Sequence, residues 1–142
     1  MPKRRDLLKF PAVLAPMAMF GMPPPATKAG GLPNATRNAK DLKVEKSPFG
    51  ELRIYFDGPT DQLKAMTAGS LLLYAGKTPH PPHEHPEEEF MVVTEGTGEI
   101  MCDGKTVQVG PGSMMYCAAN KSHAILNTGK KPLLFYFYKW KA

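Results

Sequence analysis

Residues 76–96 read GKTPHPPHEHPEEEFMVVTEG, and the fold is decided by how this stretch is read. In extended backbone successive side chains alternate faces, so His83 and His85 point the same way; Glu89 keeps that parity if the turn at Pro86 preserves it. Two imidazoles and a carboxylate then converge. First-row metal ions take neutral imidazole nitrogen together with carboxylate oxygen, so this is a metal site short of one ligand. His123 is the natural fourth. It lies in a second stretch, 112–127, GSMMYCAANKSHAILN, where a turn-rich segment separates two short apolar runs.

The two stretches resemble the paired motifs of the cupin superfamily. The first falls on Gly76, His83, His85, Glu89 and Gly96, with one residue more than usual between Gly76 and His83. The second falls on Gly112, Ala118, Asn120, His123 and Asn127, with Ala118 and Asn120 standing where the family has proline and glycine. Asn tolerates left-handed backbone better than nearly every other non-glycine residue, so the turn survives at Asn120. The resemblance covers the chain from Glu51 to Trp140. It implies a double-stranded β-helix, that is, a jelly-roll barrel. It also implies one divalent first-row metal on His83, His85, Glu89 and His123: Fe, Mn, Ni or Co first, Zn or Cu as alternatives.

The 142 residues suffice for one core. Residues 1–29 hold Lys3, Arg4, Arg5, Lys9 and Lys28 against the single acid Asp6, and so account for most of the formal net charge of +5. The rest of the chain is close to neutral, so the basic balance gives no reason to expect nucleic acid as a partner. The Lys3–Lys9 segment followed by the weakly apolar run Phe10–Met22 resembles a twin-arginine export signal. Pro11 and Pro16 interrupt that run, which is shorter than the roughly 20 residues of a membrane span, so no stable membrane anchor is expected. Cleavage after Thr27-Lys28-Ala29 is preferred to cleavage after Pro24-Pro25-Ala26, and the mature protein is expected to be periplasmic or secreted. Residues 30–47 read as a polar arm or linker, and residues 48–142 as the domain.

Strand-like runs follow at close spacing: 51–56, 62–67, 71–75, 90–94, 98–102, 105–109, 114–117, 123–127 and 133–140. Turn residues punctuate them, and Asp103-Gly104 between alternating runs is the clearest hairpin signal. No helical period of useful length is present. The expectation is an all-β chain closed into a double-sheet jelly roll. In the last run Leu134, Tyr136, Tyr138 and Trp140 share one face; that apolar face predicts a homodimer, unless the 30–47 arm folds back over it.

Other residues have plainer readings. His80 is either a loop histidine or a catalytic or substrate-contacting group beside the metal. Glu87 and Glu88 are expected to be solvated. Cys102 and Cys117 either pair in an oxidising compartment or are core thiols. The methionines are scattered over separate strands, which argues against a copper site built from them. Three imidazoles and a carboxylate on an octahedral ion leave two positions open, which suits a metal-dependent enzyme on a small oxygenated molecule, oxidative cleavage of the dioxygenase type being the first choice. A non-catalytic binding or sensor protein is the alternative. A phosphosugar isomerase is disfavoured, because no basic cluster is visible to hold a phosphate.

Lysine at both positions 4 and 5 is expected to leave the full-length precursor inside the cell. Unchanged recovery of processed protein outside the cytoplasm, assayed by fractionation and mass spectrometry, would remove the export reading.

Overall fold

Strict alternation of apolar and polar side chains over short runs commits most of the chain to strands with one face buried. In the computed structural model, described here for residues 30–142, nine strands form: β1 (Glu45–Ser47), β2 (Gly50–Gly58), β3 (Ala65–Leu73), β4 (Glu88–Glu95), β5 (Gly98–Cys102), β6 (Lys105–Val109), β7 (Met114–Cys117), β8 (His123–Leu126) and β9 (Leu133–Lys141). The export-like segment, residues 1–29, lies outside the described residues. A six-stranded sheet of order β1-β2-β3-β9-β4-β7 faces a three-stranded sheet of order β6-β5-β8. All the named pairings are antiparallel. This is the all-β jelly-roll class expected.

Between the sheets the inward positions interdigitate: Leu71 and Leu73 from β3, Met91 and Val93 from β4, Ile100, Met115, Cys117, Ile125, Leu133 and Phe135. Following that parity to the strand ends, Glu89 continues the Met91–Val93 face and His123 continues the Ile125 face. The apolar interior therefore turns polar at one end.

Two turns behave as their residues demand. Asp103 and Gly104 both have positive φ, 49° and 80°, as a two-residue hairpin with the primed twist requires. Asn120 takes φ 59°, so it fills the place of the glycine that the motif usually carries.

Two details differ from the sequence reading. The runs 62–67 and 71–75 are one strand, β3, starting at Ala65 and continuous through Ala68-Gly69-Ser70. Those small residues look like a break, yet they are small because a neighbour occupies the space: a Cβ on Gly69 would lie 2.5 Å from the Phe137 ring. The end of the 30–47 arm is itself a strand, since Glu45–Ser47 pairs with Gly50–Leu52. The arm before it runs along β2 and the loop after it, where the Leu32 amide donates to Pro59 O (2.8 Å) and the Arg37 guanidinium lies 5.3 Å from the Phe56 ring centre. On the outer aromatic face Tyr116 and Tyr138 stay exposed.

Asn127, fully buried, ties the loops at the barrel end where β3 and β8 finish and β9 begins, opposite the end that carries Glu89 and His123. Its side-chain amide donates to Leu73 O and Lys131 O (both 2.9 Å), and its carbonyl accepts from Gly129 N (2.9 Å). Its backbone exchanges bonds with Gly76 and Lys77 on the loop leading to His83. Asn127→Ala strands two buried carbonyls and one amide, and is expected to destabilise the fold by about 3 kcal/mol, the sum of a few unsatisfied groups. A urea midpoint that falls with an unchanged m-value would show this; an unmoved midpoint would contradict it.

Candidate metal centre

The two histidine-bearing stretches meet through their backbones. His83 N donates to His123 O (3.1 Å) and His123 N donates to His83 O (2.9 Å), an isolated antiparallel bridge. Asn120 N donates to His85 O (2.8 Å), so the left-handed turn at Asn120 also holds the second histidine of the pair. His83 and His85 thus lie in a loop stitched to the barrel, not in a strand. Their side chains still reach one site. Nitrogens of His83, His85 and His123 lie within 4.8 Å of one another, with ring centres separated by 4.8 to 5.2 Å.

Glu89 completes the group. It is 5% exposed, and its Oε2 lies 3.0 Å from His85 Nε2 and 2.8 Å from His123 Nε2. All four residues read from the sequence are therefore brought together. His80 joins them, its ring stacked on that of His83 at 3.7 Å between centres, with Nδ1 2.8 Å from Pro81 O.

The hydrogen bonds fix where the lone pairs point. His123 Nδ1 lies 3.0 Å from Lys121 O and His85 Nδ1 lies 3.0 Å from Glu87 O. A carbonyl oxygen only accepts, so each Nδ1 carries the ring proton and each neutral ring turns a lone pair at Nε2 toward Glu89. Lone pairs then face a carboxylate oxygen with nothing positive between them. His123 Nε2 is buried without a hydrogen-bond partner, because its 2.8 Å approach to Glu89 is off the N–H axis. A cation among these four side chains resolves the arrangement, and three imidazoles with one carboxylate are a donor set that first-row divalent metals accept. The residues fit such an ion.

The electrostatics among these side chains agree. Burial, with the neighbouring His80, His123 and His85 rings, lowers the His83 pKa to about 4, against the pull of Glu89. The Glu89 carboxylate beside it raises the His123 pKa in spite of burial. Burial alone would raise the Glu89 pKa, but His123 and then His85 hold it below the usual carboxylate range. Cys102 and Cys117 are free thiols. Burial, followed by the nearby Cys102, pushes the Cys117 thiol up to about 12, so it is a protonated core thiol and no thiolate ligand. Of the flanking acids, Glu88 accepts from the Tyr116 hydroxyl (2.7 Å) on the outer face, and Glu87 Oε2 lies 3.3 Å from His85 Nδ1.

On their open side His83, His85 and Glu89 border a cavity of about 230 Å³. Its walls are mostly apolar, with Phe49, Leu52, Leu71, Met91, Phe135 and Phe137 among them. Lys139 lines it too, a residue the sequence reading passed over. The signal was there: Lys139 has the parity of Leu133, Phe135 and Phe137, the inward face of β9.

With fold and site in hand, the comparisons with known proteins agree. Residues 70–138 match the family described as the cupin domain, and this match, together with cupin structural neighbours, supports the cupin superfamily. The RmlC-like cupin of Shewanella frigidimarina superposes with a TM-score of 0.64 at 13% identity, over 75% of this chain and 89% of that one. KdgF from a Halomonas species gives 0.65 at 14% identity, over 78% and 96%. The polyketide cyclase RemF of Streptomyces resistomycificus gives 0.61 at 21% identity, over 76% and 80%. At these identities the likeness is one of fold. No curated protein sequence matches the chain.

Loading with a divalent first-row metal is expected to raise the unfolding temperature by roughly 10 °C, since ligand at about a hundred times Kd adds about 2.7 kcal/mol. His123→Ala should abolish both the shift and the bound metal found by elemental analysis. Affinity should weaken as the pH falls below neutrality, because protons compete for the imidazoles and His123 binds its proton more tightly than usual. A pH-independent affinity, or a full shift in the variant, would exclude this ligand set.

Proposed function

We propose that the protein is an exported metal-dependent enzyme that cleaves a small oxygenated molecule, a phenol or a diketone first, with dioxygen as co-substrate. The observation that carries this reading is the meeting of two environments: the His83, His85, Glu89 and His123 cluster at one end, and a mostly apolar cavity of about 230 Å³ on its open side. A divalent first-row metal held by these four side chains would supply Lewis acidity and one-electron chemistry, with room in its coordination shell for substrate oxygen atoms.

The protein's own residues do the remaining work. Lys121 O and Glu87 O fix the tautomers of His123 and His85. Glu89 and His123 form the buried floor, and His83 lies at the solvent side. Met91, Phe135 and Phe137 exclude water and receive the apolar part of the substrate. His80 has Nδ1 committed to Pro81 O, so its Nε2 carries the lone pair and is the group at the cavity wall able to accept a proton from a substrate hydroxyl. In such a cleavage one carbon–carbon bond breaks and both atoms of dioxygen end in the products, so no external reductant is consumed.

Elemental analysis of protein purified from its own compartment, followed by oxygen-uptake assays on a panel of phenols and diketones, tests the proposal. Iron, manganese, nickel or cobalt at about one per chain, with uptake lost in His85→Ala, is the expected result; a catalytic loss of at least a hundredfold fits removal of a metal ligand. Zinc or no metal, with no turnover on any compound, would overturn the enzyme reading in favour of a binding protein.

A further inference from the structure

Lys139 occupies the inward face of β9, between Thr67 of β3 on one side and Glu89 of β4 on the other. It lines the same cavity as His80, His83, His85 and Glu89, and is the one lysine or arginine in that lining. Its cross-strand neighbour Glu89 is turned to the histidines, with Oε2 2.8 Å from His123 and 3.0 Å from His85. Among the described residues no ion pair or hydrogen bond engages the Lys139 ammonium group.

Lys139 is half-buried at the wall of a mostly apolar cavity, with no counter-ion within ion-pair distance among the described residues. A ligand with an anionic group supplies one, through a charge-assisted hydrogen bond in a setting of lower dielectric than water. Two features bound the ligand. One lysine is a single point charge, enough for a carboxylate but far short of the donors that surround a phosphate. A cavity of about 230 Å³ is larger than the roughly 150 Å³ dry cavity that takes up benzene, so a single ring carrying a carboxylate fits within it.

We infer that Lys139 is the anion-binding residue of this pocket, and that the substrate is a small carboxylate with a single ring or an apolar chain of that size. Its carboxylate pairs with Lys139, its apolar body lies against Phe135 and Phe137, and its oxygenated end faces the histidines. The last contact rests on the proposed function; the first depends on Lys139 alone. Lys139 therefore sets specificity, selecting acids over their neutral counterparts.

The test uses metal-free protein, so that no ion competes for the carboxylate, with benzoate and its neutral isostere benzamide as probes in ligand-observed NMR titrations. Wild-type protein is expected to bind benzoate about tenfold more tightly than benzamide, a difference of about 1.4 kcal/mol. Lys139→Met and Lys139→Gln should lose the preference while still binding benzamide, and Lys139→Arg should keep it. Using two neutral variants prevents one poorly folded protein from deciding the matter. Equal affinities in the wild type, or a preference that survives both neutral variants, would overturn the inference. A Lys139-dependent preference in a protein that takes up no oxygen when metal-loaded upholds the anion site and removes the oxidative reading; uptake without the preference does the reverse.

Discussion

The site depends on one pair of backbone hydrogen bonds, those exchanged between His83 and His123. These residues are forty positions apart and lie in segments that are otherwise loop and strand end. Backbone pairing fixes their separation before any side chain is considered, because opposed residues of a narrow antiparallel pair stand about 5.5 Å apart at Cα. Imidazoles on such a pair can meet at a common point. The Asn120 amide on His85 O then holds the second histidine of the loop in the same frame. The left-handed conformation at Asn120 is thus part of the candidate metal site, although its side chain donates nothing to it.

A second constraint is energetic. Glu89 and His123 occupy inward positions that Met91 and Ile125 continue as core, and each is almost fully buried. Removing a carboxylate from water costs several kcal/mol unless it is compensated. The compensation that the protein's own groups supply is partial, since the short contact with His123 is misaligned and His123 Nε2 lacks a partner. The barrel end is therefore shaped so that a cation could complete the compensation, with the surrounding core supplying the rigidity. Preorganisation of this kind is what lets a site discriminate ions by geometry rather than by raw affinity.

Much of this was legible in the sequence, for identifiable reasons. His83, His85, Glu89 and His123 carry their chemistry in residue type and spacing, and the Asp103-Gly104 turn carries its backbone angles in its composition. What stayed hidden depended on neighbours distant in sequence. Ala68-Gly69-Ser70 reads as a break until the Phe137 ring is seen to occupy the space above Gly69. Glu45–Ser47 is too short and polar to announce a strand, and becomes one by pairing with Gly50–Leu52. Lys139 was readable in principle, since alternation from Leu133 places it inward. A lysine near the end of a strand is ordinarily read as solvated, and that expectation obscured the parity.

The placement of the donors also bears on what kind of ion suits the function. His123 and Glu89 lie beneath the site, and His85 and His83 at its side, so all four approach from the barrel wall and the loop. The remaining directions open on the cavity lined by Phe135 and Phe137. An ion that takes these four ligands tetrahedrally fills its shell and leaves the cavity without a reactive neighbour, as zinc does in structural sites. An ion that took more than four ligands would keep positions for substrate beside the cavity, whose walls of low polarity would strengthen electrostatic contacts there. The same four side chains therefore support either a structural or a reactive centre. The apolar cavity beside them, which a purely structural metal would not require, favours the reactive one.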